Sequence, residues 1–287
     1  MSEADHPNDP LKFEDWAGKA GMRWLTNLAQ FEGTIAPVGK ALVERAAFQP
    51  GERVVDIGCG GGATSLAIAK AVGDQGQVVG LDISPDLIAE CKRRAAAEGL
   101  PQAQFVCGDA ATDQPQGAPF DRLASRFGTM FFDDPIPAFA NMRKMVKPGG
   151  RIDLAVWGSP RANPWMLEGM ALVRRYVEMP PMVPRAPGPF AFEEVEYLSE
   201  ILEKAGFRNV QMEELRGKVS VGGAGSTPEA ALSFLQNGLA SGEVLKNQSA
   251  EIQAAASAEL LDLYGKHYIP GEGVMMGFFA RLVSAEA

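Results

Sequence analysis

The sequence predicts an α/β domain built on a doubly wound, mostly parallel sheet of seven strands, and three observations predict it. From Glu52 onward, strand-like apolar runs alternate with helix-like runs, the rhythm of βαβ units. A glycine-rich turn, Gly58-Cys59-Gly60-Gly61-Gly62, joins the first of those strands to the first helix. Acidic residues, Asp82 and Asp109, close the next two strands and so fall on one sheet edge.

Residues 1–48 read as a helical N-terminal arm or lid, and residues 49–287 as the sheet domain. Within the arm, 11–48 reads as two or three short helices, because Gly18, Gly21 and Gly33 break the apolar positions Trp16, Trp24, Leu28, Phe31, Ala41 and Leu42. The first strand is 52–58, followed by a helix over 62–73 that Gly73 closes. The second strand is 77–82. Ser84 caps the next helix, Pro85 takes its first position and Gly99 ends it. A third strand covers 104–109 and a fourth 120–128. The helix 137–146 stops at Lys147-Pro148-Gly149-Gly150, and the fifth strand is 151–158. A helix over 163–179, a Pro-rich link, an amphipathic helix over 192–207 and a sixth strand over 207–215 follow. Helices near 227–239 and 248–267 precede a last apolar strand, 273–283. Helical insertions near 159–190 and 222–270 are therefore expected to cover the sheet.

The chain has 287 residues, of which 46% are hydrophobic and 22% charged, an ordinary globular balance with enough length for a large core. Its net charge of −9 runs against the basic footprint that nucleic-acid binding requires. Cys59, Cys91 and Cys107 form no CxxC pair and are expected as buried free thiols in a reducing compartment. Residues 1–10 lack the basic and apolar regions of a signal peptide, and no run of about 18 apolar residues suggests a membrane span. A cytoplasmic protein is expected. The only macromolecular partner considered is a second copy, in a homodimer.

Val54-Val55-Asp56-Ile57-Gly58-Cys59-Gly60-Gly61-Gly62-Ala63 ends an apolar strand and opens a helix. In that context glycines let a ligand approach backbone N–H groups. The spacing of Gly58, Gly60 and Ala63 also fits the dinucleotide fingerprint Gly-x-Gly-x-x-Ala. Asp56 decides between the two ligand classes. Its carboxylate would repel a pyrophosphate on the helix N-terminus and would favour a ligand with cationic groups nearby. S-adenosylmethionine has an ammonium, a sulfonium and no phosphate, and its carboxylate can use the loop N–H groups and helix dipole. Asp82, 24 residues after Gly58, is placed to accept both hydroxyls of a ribose. Asp109 could meet an adenine amino group.

Asp56-x-Gly58-x-Gly60-x-Gly62, Asp82, Gly108-Asp109-Ala110 and Lys147-Pro148-Gly149-Gly150 together resemble the class I S-adenosylmethionine-dependent methyltransferases. Within them the chain is similar to the bacterial ubiquinone/menaquinone-biosynthesis group. Residues 125–132, 163–166 and 186–190, with Trp16-x-Gly18 and Gly21-x-x-Trp24, add to that likeness. The resemblance implies a Rossmann-like methyltransferase fold with strand order 3-2-1-4-5-7-6 and an antiparallel last strand. It implies that Gly58, Gly60 and Gly62 underlie the methionine moiety, with Asp56 facing its amino end. Asp82 would hold the ribose, Ile83 would pack on the adenine, and Asp109 and Ala110 would border the adenine edge. Ser125 would lie beside the reactive methyl, with Trp24 and Asn27 closing over it. No Asn/Asp-Pro-Pro-Tyr/Phe tetrapeptide follows the fourth strand, which argues against DNA adenine and glutamine amides as acceptors.

Methyl transfer from a sulfonium needs alignment and exclusion of water, and a base only for weakly acidic acceptors. His267 is the candidate catalytic base, with Arg126 and Tyr176 as weaker alternatives. No metal-ligand spacing occurs, so no metal is expected. Trp24, Trp165, Met166, Met170, Phe190, Met275 and Met276 suggest an apolar acceptor cavity under the insertions. The expected activity is C- or O-methylation of a small hydrophobic or aromatic molecule. An NAD(P)-dependent oxidoreductase and a non-methylating S-adenosylmethionine-binding protein are the competing readings.

Overall fold

The computed structural model describes residues 15–287, so the readings made of residues 1–14 lie outside the described residues. Two helices, α1 (Lys19–Thr26) and α2 (Leu28–Ala46), meet at Asn27 and lead into β1 (Arg53–Ile57). Then come α3 (Ala63–Val72), β2 (Gln77–Asp82), α4 (Pro85–Glu98), β3 (Ala103–Cys107) and β4 (Phe120–Arg126). The next elements are α5 (Pro135–Lys144), β5 (Val146–Trp157), α6 (Pro164–Val173), α7 (Val195–Lys204) and β6 (Arg208–Ser220). The chain continues through α8 (Pro228–Gly238), α9 (Ala240–Lys246), α10 (Ala250–His267), the short β7 (Tyr268–Ile269) and β8 (Gly273–Glu286).

The sheet order is β3-β2-β1-β4-β5-β8-β6, with β8 antiparallel to both its neighbours and β7 a two-residue addition paired to β8. This is the predicted order plus that small hairpin. β1 pairs in parallel with both β2 and β4, so the chain reverses its direction of sheet growth there. The crevice outside the carboxyl ends at such a reversal is where α/β sheets bind ligands. Residues 54–57 of β1 are wholly buried because helices cover both faces. One cluster packs Leu66, Ile68, Val72, Ile88 and Phe105 on one side; a larger one joins α2, α5 and α7 to β4, β5 and β8.

Several boundaries differ from the expectation. α2 does not break at Gly33. A Cβ there would stand 3.0 Å from Gly223 Cα, so this glycine permits close approach to the turn after β6. Phe31, Ile35, Val38 and Leu42 of α2 are core residues, so the arm is detachable only up to Asn27. β5 starts at Val146 and runs through Lys147–Gly150, with an irregular register between Phe120 and Arg122 of β4. α6 stops at Val173, not 179, and the predicted pair of helices over 227–267 is three, α8, α9 and α10. β6 and β8 are longer than expected. They stay paired to Ser220↔Met275, whereas β5 leaves β8 at Trp157↔Ala280. The resulting ribbon rises above the carboxyl edge and carries the helical roof.

Asn163 joins that roof to the sheet. It is fully buried, donates to Ser159 O and Phe279 O at 3.0 and 2.9 Å, and accepts from Phe279 N at 3.0 Å. At the far side of the sheet, buried Asp153 accepts from Arg122 at 2.6 Å and from Arg151, and Arg122 also donates to Ala46 O at 2.8 Å. That cluster ties β4 and β5 to the end of α2, away from the carboxyl edge.

Candidate functional site

The four loop glycines are required for different reasons. Gly58, Gly60 and Gly62 all have positive φ, at 62°, 55° and 87°. A Cβ on Gly58 would strike Gly128 Cα at 2.6 Å, so this pair sets how closely the β1 and β4 loops meet. A Cβ on Gly61 would strike Leu28 of α2 at 2.5 Å, and one on Gly62 would press Cys91 Sγ at 3.1 Å. At Gly60 a Cβ would meet only Trp24 Nε1, at an ordinary contact distance of 3.6 Å, so space remains beside its backbone.

That space is a cavity of about 30 Å³ lined by Trp24, Ile35, Asp56, Gly58, Cys59, Gly60, Gly61, Thr64 and Arg126. Three buried polar atoms on its wall have no hydrogen-bond partner: Trp24 Nε1, Asp56 Oδ1 and Thr64 Oγ1. Buried polar groups are ordinarily paired, so a cluster of unpaired ones marks a place where a polar ligand belongs. Asp56 is 1% exposed, and its other oxygen accepts from Ser65 Oγ at 2.6 Å. Burial pushes its carboxyl up to about 7, opposed by the Ser65 hydrogen bond and the Arg126 charge and reinforced by Asp82. With its pKa near neutrality, Asp56 can ionise readily beside a cation.

Asp82 ends β2 with both carboxylate oxygens anchored. Oδ2 accepts from Gly60 N at 2.8 Å and Oδ1 from Ser84 N at 2.9 Å. Burial raises its pKa, and those N–H groups with that of Ile83 partly offset the rise. Each oxygen keeps a second lone-pair direction, so the carboxylate is oriented without being exhausted. Ile83 beside it is 42% exposed, an apolar side chain left uncovered at the sheet edge. Asp109 Oδ1 accepts from Ala111 N at 2.8 Å, which holds the turn after β3, and Ala110 is buried. Ser125 is fully buried, and its hydroxyl donates to Ile57 O at 2.7 Å, so this side chain fastens β4 to β1.

α1 lies across the site. Gly21 packs against Ser84, where a Cβ would stand 2.8 Å from Ser84 Oγ. Trp24 stacks on Phe31 with ring centres 4.0 Å apart, and Trp16 meets Trp24 and Phe131 edge-on. Asn27 donates to Arg23 O at 2.9 Å and Asn237 O at 3.2 Å, joining α1 to α8. Arg23 also pairs with Glu243 of α9 at 2.7 Å. Behind the loop, Arg94 donates to Gly61 O at 2.6 Å and pairs with Glu32 of α2 at 2.7 Å.

The structure does not bring His267 to this cluster. It ends α10, beside β7, whose Tyr268 pairs with Val274; that pair lies six residues of β8 beyond Ala280. At about 3.3 Å per residue this is about 20 Å from the end of β5. Its Nε2 sits 3.4 Å from Glu168, a pairing within the roof. Tyr176 is likewise bonded to Glu259 at 2.5 Å, and that bond raises its pKa. Of the three cysteines, Cys107 is exposed, contrary to expectation, because it ends the edge strand β3; Cys59 and Cys91 are buried. Thr64 and the ligand-facing side of Arg126 escaped the sequence reading. Thr64 could have been found as the second helical residue after the glycine turn, where N–H and hydroxyl groups converge.

Among the described residues, no three His, Cys, Asp or Glu side chains converge on a metal-sized site, and no helix is long and apolar enough to cross a membrane. Residues 54–150 match the family described as Methyltransferase domain. The aklanonic acid methyltransferase DauC of Streptomyces sp. (strain C5) is 37% identical over 116 residues, 40% of this chain and 53% of that protein. The match thus spans about half the length of that relative. A demethylmenaquinone methyltransferase of Bacillus cereus is 28% identical over 197 residues, 63% of this chain and 81% of that one. Among solved structures, phosphoethanolamine N-methyltransferase 2 of Haemonchus contortus in complex with S-adenosyl-L-methionine superposes with a TM-score of 0.57 at 17% identity. That likeness covers 96% of this chain and 60% of that one, and at this identity it speaks for the fold.

Proposed function

We propose, from the premise that the chain belongs to the class I S-adenosylmethionine-dependent methyltransferases, that it methylates a small aromatic or quinone-like acceptor at the carboxyl edge of the sheet. The observation that carries the cofactor reading is the cavity beside Gly60, with a buried carboxylate oxygen on Asp56 that has no partner. Such an oxygen suits an ammonium and repels a pyrophosphate, which disfavours the dinucleotide reading.

S-adenosylmethionine, when bound, supplies a methyl group already activated by the sulfonium. In this reading the chain's residues bind, orient and keep water out. Asp82, fixed by Gly60 N and Ser84 N, takes the ribose hydroxyls on its remaining lone pairs. Ile83 offers its exposed side chain to the adenine face, and Asp109 and Ala110 border the adenine edge. Gly60 lets the methionine chain pass against backbone, and Asp56 meets its amino end. Ser125 acts through the loop geometry it fastens, since its hydroxyl is already engaged. Trp24, on the α1 flap, closes the site, and Asn27 is the hinge. Trp24 of the flap lines the cavity beside Gly60, so in this reading the flap opens to admit the donor. No side-chain base is assigned; alignment and dryness supply the acceleration.

The acceptor class rests on the apolar roof, where Trp165 and Met276 are buried and Met166 and Phe190 partly so, and on the acceptors named for the two relatives above. Incubation with methyl-labelled donor and a panel of hydroxyquinones, hydroxyanthraquinones, amines and polar phenols tests it. Label is expected in the polycyclic or quinone products; label confined to amines or to protein would overturn the acceptor assignment.

A further inference from the structure

We infer that Cys59 and Cys91 form a peroxide-sensitive thiol pair behind the glycine loop, and that joining them as a disulfide switches off donor binding. The effect rests on the cofactor reading above; the pair itself rests on how the loop packs. Cys59 lies between Gly58 and Gly60, and Cys91 stands on the buried face of α4. A Cβ on Gly80 would stand 3.0 Å from Cys59 Sγ and 2.8 Å from Phe105 Cε1. One on Gly62 would stand 3.1 Å from Cys91 Sγ and 3.6 Å from that same ring atom. Two glycines thus clear the edge of Phe105 for both sulfurs. Cys91 donates to Gly60 O at 3.0 Å, and Cys59 hydrogen-bonds to Cys91 in turn.

The contact with Cys91 and burial push the Cys59 thiol above its ordinary range, so the pair reacts slowly while the loop is packed in this way. Cys59 is part of the wall of the cavity beside Gly60, so the route to it is the space the donor takes. Hydrogen peroxide entering there is the oxidant. One thiol loses its proton and attacks a peroxide oxygen; an S–O bond forms, the O–O bond breaks and water leaves. The other thiol then attacks that sulfur, forming the S–S bond and releasing a second water. Two thiols and one hydrogen peroxide become one disulfide and two waters. The disulfide leaves Cys91 no hydrogen for Gly60 O and ties Cys59 to α4. Gly60 N holds Asp82 Oδ2 at 2.8 Å, so displacing this residue disturbs the carboxylate assigned to the ribose. Donor and disulfide therefore oppose each other: an occupied site shields the pair, and an oxidised pair weakens the site.

Oxidising the full chain with Cys107→Ser, which removes the exposed third thiol, tests both parts. After hydrogen peroxide the intact mass is expected to fall by two hydrogens, and peptide mapping to join the segments that hold Cys59 and Cys91. Isothermal titration should then show S-adenosylhomocysteine bound about 10- to 100-fold more weakly, the range for one hydrogen bond to a charged group, with dithiothreitol restoring it. Saturating S-adenosylhomocysteine added beforehand should slow the disulfide. Cys91→Ser, which keeps a donor for Gly60 O, should bind equally before and after peroxide; Cys59→Ser serves the same purpose if the first fails to fold. Undiminished affinity in protein whose mass shows the disulfide overturns the switch. Both thiols still reduced at a peroxide dose that oxidises Cys107 of the unaltered chain overturns the pair. Weakening that persists in Cys91→Ser overturns the inference as well, since it marks damage elsewhere. Failure of the reduced protein to bind S-adenosylhomocysteine instead overturns the cofactor reading, while peptide mapping still decides the pair.

Discussion

With Asp56 at the donor's amino end, as proposed above, donor affinity is expected to depend on pH. The Asp56 carboxyl is raised to about 7 by burial, so near neutrality it is partly protonated. A donor ammonium beside Oδ1 requires the ionised form, so binding below that pH releases a proton. The dissociation constant then scales as one plus the proton excess over the pKa. It should be about tenfold weaker at pH 6 than at pH 8, with about half a proton released at pH 7. The protein's own stability runs the opposite way. A carboxyl whose folded pKa exceeds its unfolded one stabilises the fold below the unfolded pKa, and that contribution is lost as pH rises through about 7. The melting-temperature increase given by S-adenosylhomocysteine should therefore be larger at pH 8 than at pH 6. Calorimetry in two buffers of different ionisation enthalpy measures the proton count. An affinity flat from pH 6 to 8 with no buffer dependence would refute the assignment of Asp56 to the ammonium. Asp56→Asn should flatten the profile.

Three further outcomes follow from the geometry. Asp82→Ala should weaken S-adenosylhomocysteine by about 1.5–3 kcal/mol, the range for hydrogen bonds to a charged group, while circular dichroism stays unchanged; unaltered affinity would remove Asp82 from the ribose. Truncation through Thr26 should leave a folded protein that turns over poorly, whereas truncation to residue 36, which removes Phe31 and Ile35 from the core, should unfold it. Equal stability of the two truncations, read from thermal melts, would contradict the place given to α2. Asp153→Ala should cost about 3 kcal/mol of stability, the low end for breaking a buried pair, because Arg122 keeps only its longer pairing with Glu52 at 3.4 Å; urea denaturation measures it, and a loss below about 1 kcal/mol would mean that Glu52 or water takes over the charge.

The sheet was legible because each strand-to-helix step carries its own local signal. Gly73 and Gly99 end helices with positive φ, and Ser84 caps α4 through Leu87 N, as their positions indicate. What the residues alone did not disclose depends on distant neighbours. Gly33 looks like a helix breaker, yet it is fixed by a segment remote in sequence at Gly223, and Gly21 is fixed by remote Ser84 as well as by the nearer Trp16 carbonyl. Asp56 stands out in the sequence beside the glycine loop, whereas Arg126, which shares its cavity wall, sits 70 residues later. His267 attracted notice as one of two histidines, and only the length of the β6–β8 ribbon separates it from the sheet edge. Asn27 is expected from the resemblance to close over the donor, whereas its amide bonds run to Arg23 and Asn237 and join α1 to α8.

The central claim, that this glycine loop takes an adenosyl-amino acid and not a dinucleotide, is tested most directly by titrating the purified chain at pH 8 with S-adenosylhomocysteine and, separately, with NADH. The account predicts saturable 1:1 binding of S-adenosylhomocysteine and no heat or thermal stabilisation from NADH, because the buried Asp56 carboxylate beside the glycine loop would repel a pyrophosphate. Saturable NADH binding with none for S-adenosylhomocysteine would contradict it.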